Sequence, residues 1–186
     1  ACDKLAKELR ARRYVDLPIE VEVDRRDLGG GVKNWEWIKK GVPLRVVIGP
    51  RDLEKKSLED SRRDQPVKTK ESMPVEEFVS RAPEFLMSIQ NTLFERAKKF
   101  RDENTRIIDS KEEFYDFFTP KDSDKPEIHG GFGIAHWNGS REVEEQIKND
   151  LKVTIRVIPI NETSEPGRCI FTGEPSTRRV VWAKSY

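Results

Sequence analysis

The chain has 186 residues, 37% of them charged and 35% hydrophobic, and a formal net charge of +1. That suffices for one domain, or a domain with an appendage, around an apolar core. Near-neutrality excludes a global basic field, so any nucleic-acid site must be a local patch. The two cysteines, Cys2 and Cys169, exclude a disulfide framework and fit a reducing, cytoplasmic setting. No apolar run is long enough to span a bilayer, so no membrane partner is expected.

Residues 1–13 read as an amphipathic helix, with Cys2, Leu5, Ala6 and Leu9 on one stripe. A helix with no capping residue before it suggests a cut from a longer chain. Val15 to Asp24 reads as a strand, with Val21 and Val23 alternating with Glu20, Glu22 and Asp24. Gly29, Gly30 and Gly31 break it. A short helix with Trp35 and Trp37 follows, among Lys33, Lys39 and Lys40. Pro43 to Ile48 is apolar and β-branched, a central strand by its composition, closed by Gly49-Pro50. Residues 53–72 carry only Leu53, Leu58 and Val67 as apolar residues and read as loop.

Residues 75–102 form the clearest helix, striped by Val75, Phe78, Val79, Ala82, Leu86, Ile89, Leu93, Ala97 and Phe100. Pro83 is expected to kink or split it. Thr105 to Ile108 is β-like, and Ser110 opens a small helix with Glu113 at the capping-box position. Thr119 to Gly130, rich in Pro, Asp and Lys, is the expected boundary between two lobes. The second lobe alternates: a strand at 131–137, a helix from Ser140 to Leu151 with Val143, Ile147 and Leu151 inward, then strands at 153–160, 169–171 and 180–183. The fold class is α/β.

Val21 to Asp52 concentrates the chemistry. Arg and Lys neutralise phosphates, aromatic faces stack on splayed bases, and acids such as Asp24, Asp27 and Glu36 accept from base amino groups. That mixture suits unpaired RNA; a core capped by tryptophans with a solvated rim accounts for it as well. Other chemistries find less support. The three glycines lack the spacing of a nucleotide-phosphate loop. Cys2, Cys169, His129 and His136 show no paired zinc spacing. Cys169 with either histidine could form a thiol enzyme, but it lies in a short apolar segment with no signature around it. The 75–102 helix carries acids as well as bases, unlike a helix for anionic membranes.

The runs Val23 to Asp27, Gly31 to Lys33, Trp35 to Trp37, Lys40 to Arg45 and Gly49 to Asp52 resemble the anticodon-binding domain of prolyl-tRNA synthetases, class IIa enzymes of the archaeal and eukaryotic type. The resemblance covers essentially the whole chain. It implies an anticodon-binding domain over residues 1–118, a mixed sheet flanked by helices lacking its first strand, then a C-terminal α/β extension over 119–186. It also places a further edge strand in 53–72, ending at Arg62, Arg63 and Asp64. The implied function is recognition of the proline tRNA anticodon for an ATP-dependent proline–tRNA ligase. Its ATP and Mg sites would lie in a catalytic domain outside this chain, within a homodimeric parent. The implied anticodon contacts are Arg26, Asp27, Lys33, Trp35, Trp37 and Lys40. Many relatives have Phe-x-x-Trp-Glu where this chain has Asn34-Trp35-Glu36-Trp37-Ile38, which leaves open which tryptophan stacks. Four zinc-binding cysteines of relatives fall at Asn138, Val143, Cys169 and Thr172, so that zinc site is expected to be lost. Tyr186 would dock toward the catalytic domain. The rival reading is a stand-alone RNA- or protein-interaction module of the same fold.

Overall fold

Leu5, Ala6 and Leu9 recur at helical spacing and form the buried face of α1 (Cys2–Arg10), while Cys2 is exposed. The computed structural model describes residues 1–121, 131–160 and 164–185. They divide into two compact units, Ala1–Arg96 and Ala97–Tyr186.

In the first unit, β1 (Arg13–Tyr14) pairs antiparallel with β2 (Leu17–Pro18). Val15 and Asp16 between them have φ of 44° and 65°, the left-handed pair of a two-residue hairpin turn. Of the strand expected over Val15 to Asp24, only Leu17–Pro18 forms, as β2. Residues 19–24 join no sheet of the described residues, yet Ile19 and Val21 rest on the core. Alternation marks which side chains face inward; a strand also needs a neighbour for its backbone groups.

The helix α2 (Gly30–Lys39) leads to β3 (Leu44–Val47), α3 (Pro50–Lys55), β4 (Ser57–Arg62) and β5 (Glu71–Pro74). The sheet is antiparallel in the order β3-β4-β5. So β3 is an edge and not the central strand its composition suggests. The central place falls to β4, from a span that reads as loop, because Leu58 alone supplies its apolar anchor.

The long helix α4 (Val75–Glu103) lays Phe78, Val79, Ala82 and Phe85 on that sheet beside Leu5, Leu9 and Leu58. Pro83 does not split it. The lost N–H costs one backbone bond, and buried Phe78, Val79, Ala82 and Phe85 hold the turns on either side. The expected stripe also runs too far: Ala97 and Phe100 are exposed.

The second unit contains β6 (Thr105–Ile107), α5 (Lys111–Phe118), β7 (Phe132–His136), α6 (Arg141–Leu151), β8 (Val153–Val157), β9 (Gly167–Arg168), β10 (Pro175–Ser176) and β11 (Arg179–Lys184). Its main sheet runs β6-β7-β11-β8, parallel only between β6 and β7. Ser110 Oγ accepts from the Glu113 N–H at 3.1 Å and Ser140 Oγ from the Val143 N–H at 3.2 Å, so both caps form as their spacing predicts.

Phe114, Phe118, Ile147, Val153, Val180 and Trp182 are all but fully buried in one core. Residues 97–118 therefore pack with this unit; residues 122–130 of the expected boundary loop lie outside the described ones. The strand expected to Ile160 ends at Val157, and Ile160 is 92% exposed. Cys169 to Phe171 forms no strand. It is the turn between β9 and β10, which pair antiparallel, with the Cys169 N–H on the Glu174 carbonyl and the Gly173 N–H on the Cys169 carbonyl, each at 2.8 Å.

Candidate nucleic-acid interface

Lys33, Trp37 and Lys40 lie at i, i+4 and i+7 along α2 and its C-cap, on one face. That face meets residues 22–26 across a cleft of about 560 Å³, also lined by Trp37 and Lys40. Asp24 is its pivot. Arg26 closes on it with a two-pronged contact, Nε to Oδ1 at 3.0 Å and Nη2 to Oδ2 at 2.7 Å. The Arg26 backbone N–H adds a third bond to Oδ1 at 3.1 Å. The Trp37 indole N–H donates to Oδ2 at 2.8 Å. Arg26, opposed only by some burial, with help from Trp37, holds the Asp24 carboxyl well below the usual carboxylate range. Asp24 first, then Glu36, which Arg26 reaches through Nη1, raises the guanidinium further above its already high value. Lys40 Nζ stands 4.2 Å from the Trp37 ring centroid and Arg26 Cζ 5.9 Å from it.

Of the six expected contacts, the structure thus brings Arg26, Trp37 and Lys40 together, with Lys33 Nζ 3.5 Å from the Asp24 carbonyl. Trp35 and Asp27 stand apart. Trp35 points off another side of α2 and is 56% exposed, and Asp27 is exposed with no hydrogen bond or ion pair among the described residues. In this structure Arg26 pairs with both Asp24 and Glu36, so the three side chains neutralise one another. Sequence reading counted Asp24 among the acids available to bases and missed its role as the pivot. Its signal was Asp24-x-Arg26, two residues apart and able to fold into one clasp. Arg45 was missed as well. It reaches from β3 to α2, Nε to Asn34 Oδ1 at 3.1 Å, and burial lowers its pKa.

The second unit offers less. Cys169 is buried, and His136 is held between Ser176 Oγ, 3.2 Å from Nδ1, and Glu165, 3.6 Å from Nε2. His129 lies outside the described residues, as does Tyr186. Among the described residues no three His, Cys, Asp or Glu side chains converge on a metal position. The four positions at which the resemblance implies zinc ligands hold one thiol between them and do not fit that metal. Val143 faces the core, the Asn138 amide donates to the Glu174 carboxylate, and the Thr172 hydroxyl accepts from the Glu174 N–H at 3.3 Å.

Residues 1–84 match the family described as the anticodon binding domain, and residues 124–186 match that described as prolyl-tRNA synthetase, C-terminal. The chain carries the anticodon-binding and C-terminal domains of the prolyl-tRNA synthetase family. Its relatives include proline–tRNA ligase 2 of Anaeromyxobacter dehalogenans, 50% identical over 100% of this chain and 37% of the relative. The proline–tRNA ligase of Protochlamydia amoebophila is 46% identical over 99% of this chain and 36% of its own. Among solved structures, the prolyl-tRNA synthetase of Cryptosporidium parvum complexed with L-proline and AMP superimposes with a TM-score of 0.72 at 26% identity, over 100% of this chain and 36% of that one. The chain thus spans little more than a third of the length of these prolyl-tRNA synthetases.

Proposed function

We propose that the first unit reads the anticodon loop of proline tRNA on behalf of an ATP-dependent proline–tRNA ligase. Proline activation as the adenylate and transfer to the tRNA 3′ end would rest on a catalytic domain, with its ATP and Mg, supplied by sequence outside these 186 residues. A homodimeric parent enzyme in the cytoplasm is part of the same reading. Among the described residues no helix is long and apolar enough to cross a membrane.

The observation that carries this reading is the exposed Trp35 on a helix whose other faces are tied down. The Asp24–Arg26–Trp37 clasp fixes α2, Trp35 and Asp27 remain exposed, and Lys33 is half-buried beside the Asp24 carbonyl. Trp35 supplies a stacking platform, Lys33 a phosphate contact, and Asp27 an acceptor for the N–H groups of guanine. Trp37, already bonded to Asp24 and faced by Lys40, anchors the other side of α2.

Titrating an anticodon-arm RNA into the chain tests this. Trp35→Ala is expected to weaken binding by about 1–3 kcal/mol, from about 5-fold to about 150-fold in Kd. Asp27→Asn is expected to relax the preference for guanine at the anticodon. Wild-type affinity and selectivity in both variants would refute the assignment. The names of the relatives favour the ligase over a stand-alone module. The second unit, on this proposal, does without zinc.

A further inference from the structure

Two arginines reach the turn that ends α2, and Lys40 precedes it. Arg63 comes from the end of β4 and sets Nη1 on the Gly41 carbonyl at 3.3 Å. Arg45 comes from β3 and sets Nη1 on the Val42 carbonyl at 3.5 Å. Lys40 precedes the turn and overhangs Trp37. Gly41 has φ of +77°, and a Cβ there would sit 3.2 Å from the Arg63 guanidinium. The turn is thus shaped to let Arg63 lie against it, and the Arg63 N–H on the Pro43 carbonyl at 2.9 Å pins the approach.

A helix C-terminus attracts cations, so one of these side chains needs no further reason. Two arginines on the successive carbonyls of Gly41 and Val42, with a lysine just before them and no ion pair, do. Among the described residues none of Lys40, Arg45 and Arg63 lies within ion-pair distance of a carboxylate, whereas Arg26, Arg62 and Arg81 each have one. Nη2 of Arg45, Nη2 of Arg63 and Nζ of Lys40 have no hydrogen-bond acceptor there either. Like charges gathered around one turn repel unless an anion joins them.

We propose that Lys40, Arg45 and Arg63 form an anion site around the Gly41–Val42 turn that takes a backbone phosphate of the bound RNA. The inference rests on the reading of this unit as RNA-binding and extends its footprint from the Trp35 rim to the other end of α2. Phosphate contacts of this kind hold register and carry no sequence information.

The test follows a fluorescent anticodon-arm RNA by anisotropy against the chain over a range of salt. Arg63→Gln and Lys40→Gln are each expected to weaken binding and to reduce the slope of log K against log salt by about 0.7. The preference for guanine in the anticodon should not change. Arg45→Lys, which keeps the charge at a half-buried position, should retain the slope. Wild-type affinity and slope in both Arg63→Gln and Lys40→Gln would overturn the proposal and leave these cations as helix caps. Trp35→Ala runs alongside: if it weakens binding while the cation variants do not, only this inference fails. If no RNA binds the wild-type chain at low salt, both readings fail. Release of the RNA by pyrophosphate at constant ionic strength, undiminished in Arg63→Gln, would also count against it.

Discussion

Two aspartates of the first unit show how much a single carboxylate depends on its neighbours. Asp24 is neutralised by Arg26, accepts from the Trp37 indole and so ties α2 to residues 22–26. Asp60, on β4, is 2% exposed and its Oδ1 has no hydrogen-bond partner. Burial first, then the charge of Glu71, holds its carboxyl above the usual range; Arg62 opposes this but is already engaged by Asp64. A carboxyl raised on folding destabilises the folded state wherever it is ionised. The penalty is absent below the unfolded value of 3.8 and grows as pH rises through the folded value. Asp60→Asn, which deletes only the charge, is therefore expected to stabilise the chain by about 1 kcal/mol in urea at pH 7. That gain should vanish near pH 3, and an equal gain at both pH values would contradict the account. Asp24 had only its spacing to Arg26 as a sign of its role, and Asp60 had none. Asp60 is buried by a strand its own sequence hides.

That strand shows at the scale of elements why some of the fold was readable and some was not. Inward positions of β4 are Leu58, Asp60 and Arg62, so its period-2 pattern rests on one apolar side chain. Only the Arg62–Arg63–Asp64 resemblance hinted at it. In the structure Arg62 bonds Asp64 and Ser88 Oγ, tying β4 to α4. By contrast α4, α5 and α6 declared themselves through spacing and caps, because each has a continuous apolar face. What spacing could not say was where a helix packs. Seen along the sequence α5 ends the first lobe, but Phe118 needs the space over Gly133 on β7. A Cβ at Gly133 would stand 2.9 Å from Phe118 Cε2 and 3.1 Å from Ile108 Cδ1. Gly133→Ala is thus expected to overpack the second core and cost about 1–3 kcal/mol. Thermal unfolding of that variant is the check, and an unchanged midpoint would mean the core yields more than its packing suggests.

For the molecule as a whole, a near-neutral composition limits any nucleic-acid site to a local patch, and each unit builds its own core. A small lobe of this kind can gain stability from a metal or from its own bonds. Here the positions at issue are Asn138, Val143, Cys169 and Thr172, and Glu174 joins three of them. Its carboxylate takes the Asn138 amide, its N–H meets the Thr172 hydroxyl, and its carbonyl takes the Cys169 N–H. Val143 instead completes the core beside Ile147 and Leu151. Four thiolates would cross-link the end of β7, α6 and the β9–β10 turn through one ion; hydrogen bonds around Glu174 link the first of these to the last. A strong chelator should therefore leave the unfolding midpoint of the chain where it was, and purified chain should hold zinc far below one equivalent. Glu174→Ala should lower stability by about 1 kcal/mol, the worth of an exposed hydrogen bond to a charged group. Loss of structure on chelation would place a metal in this lobe after all, and an inert Glu174→Ala would mean that the turn is held by the backbone alone.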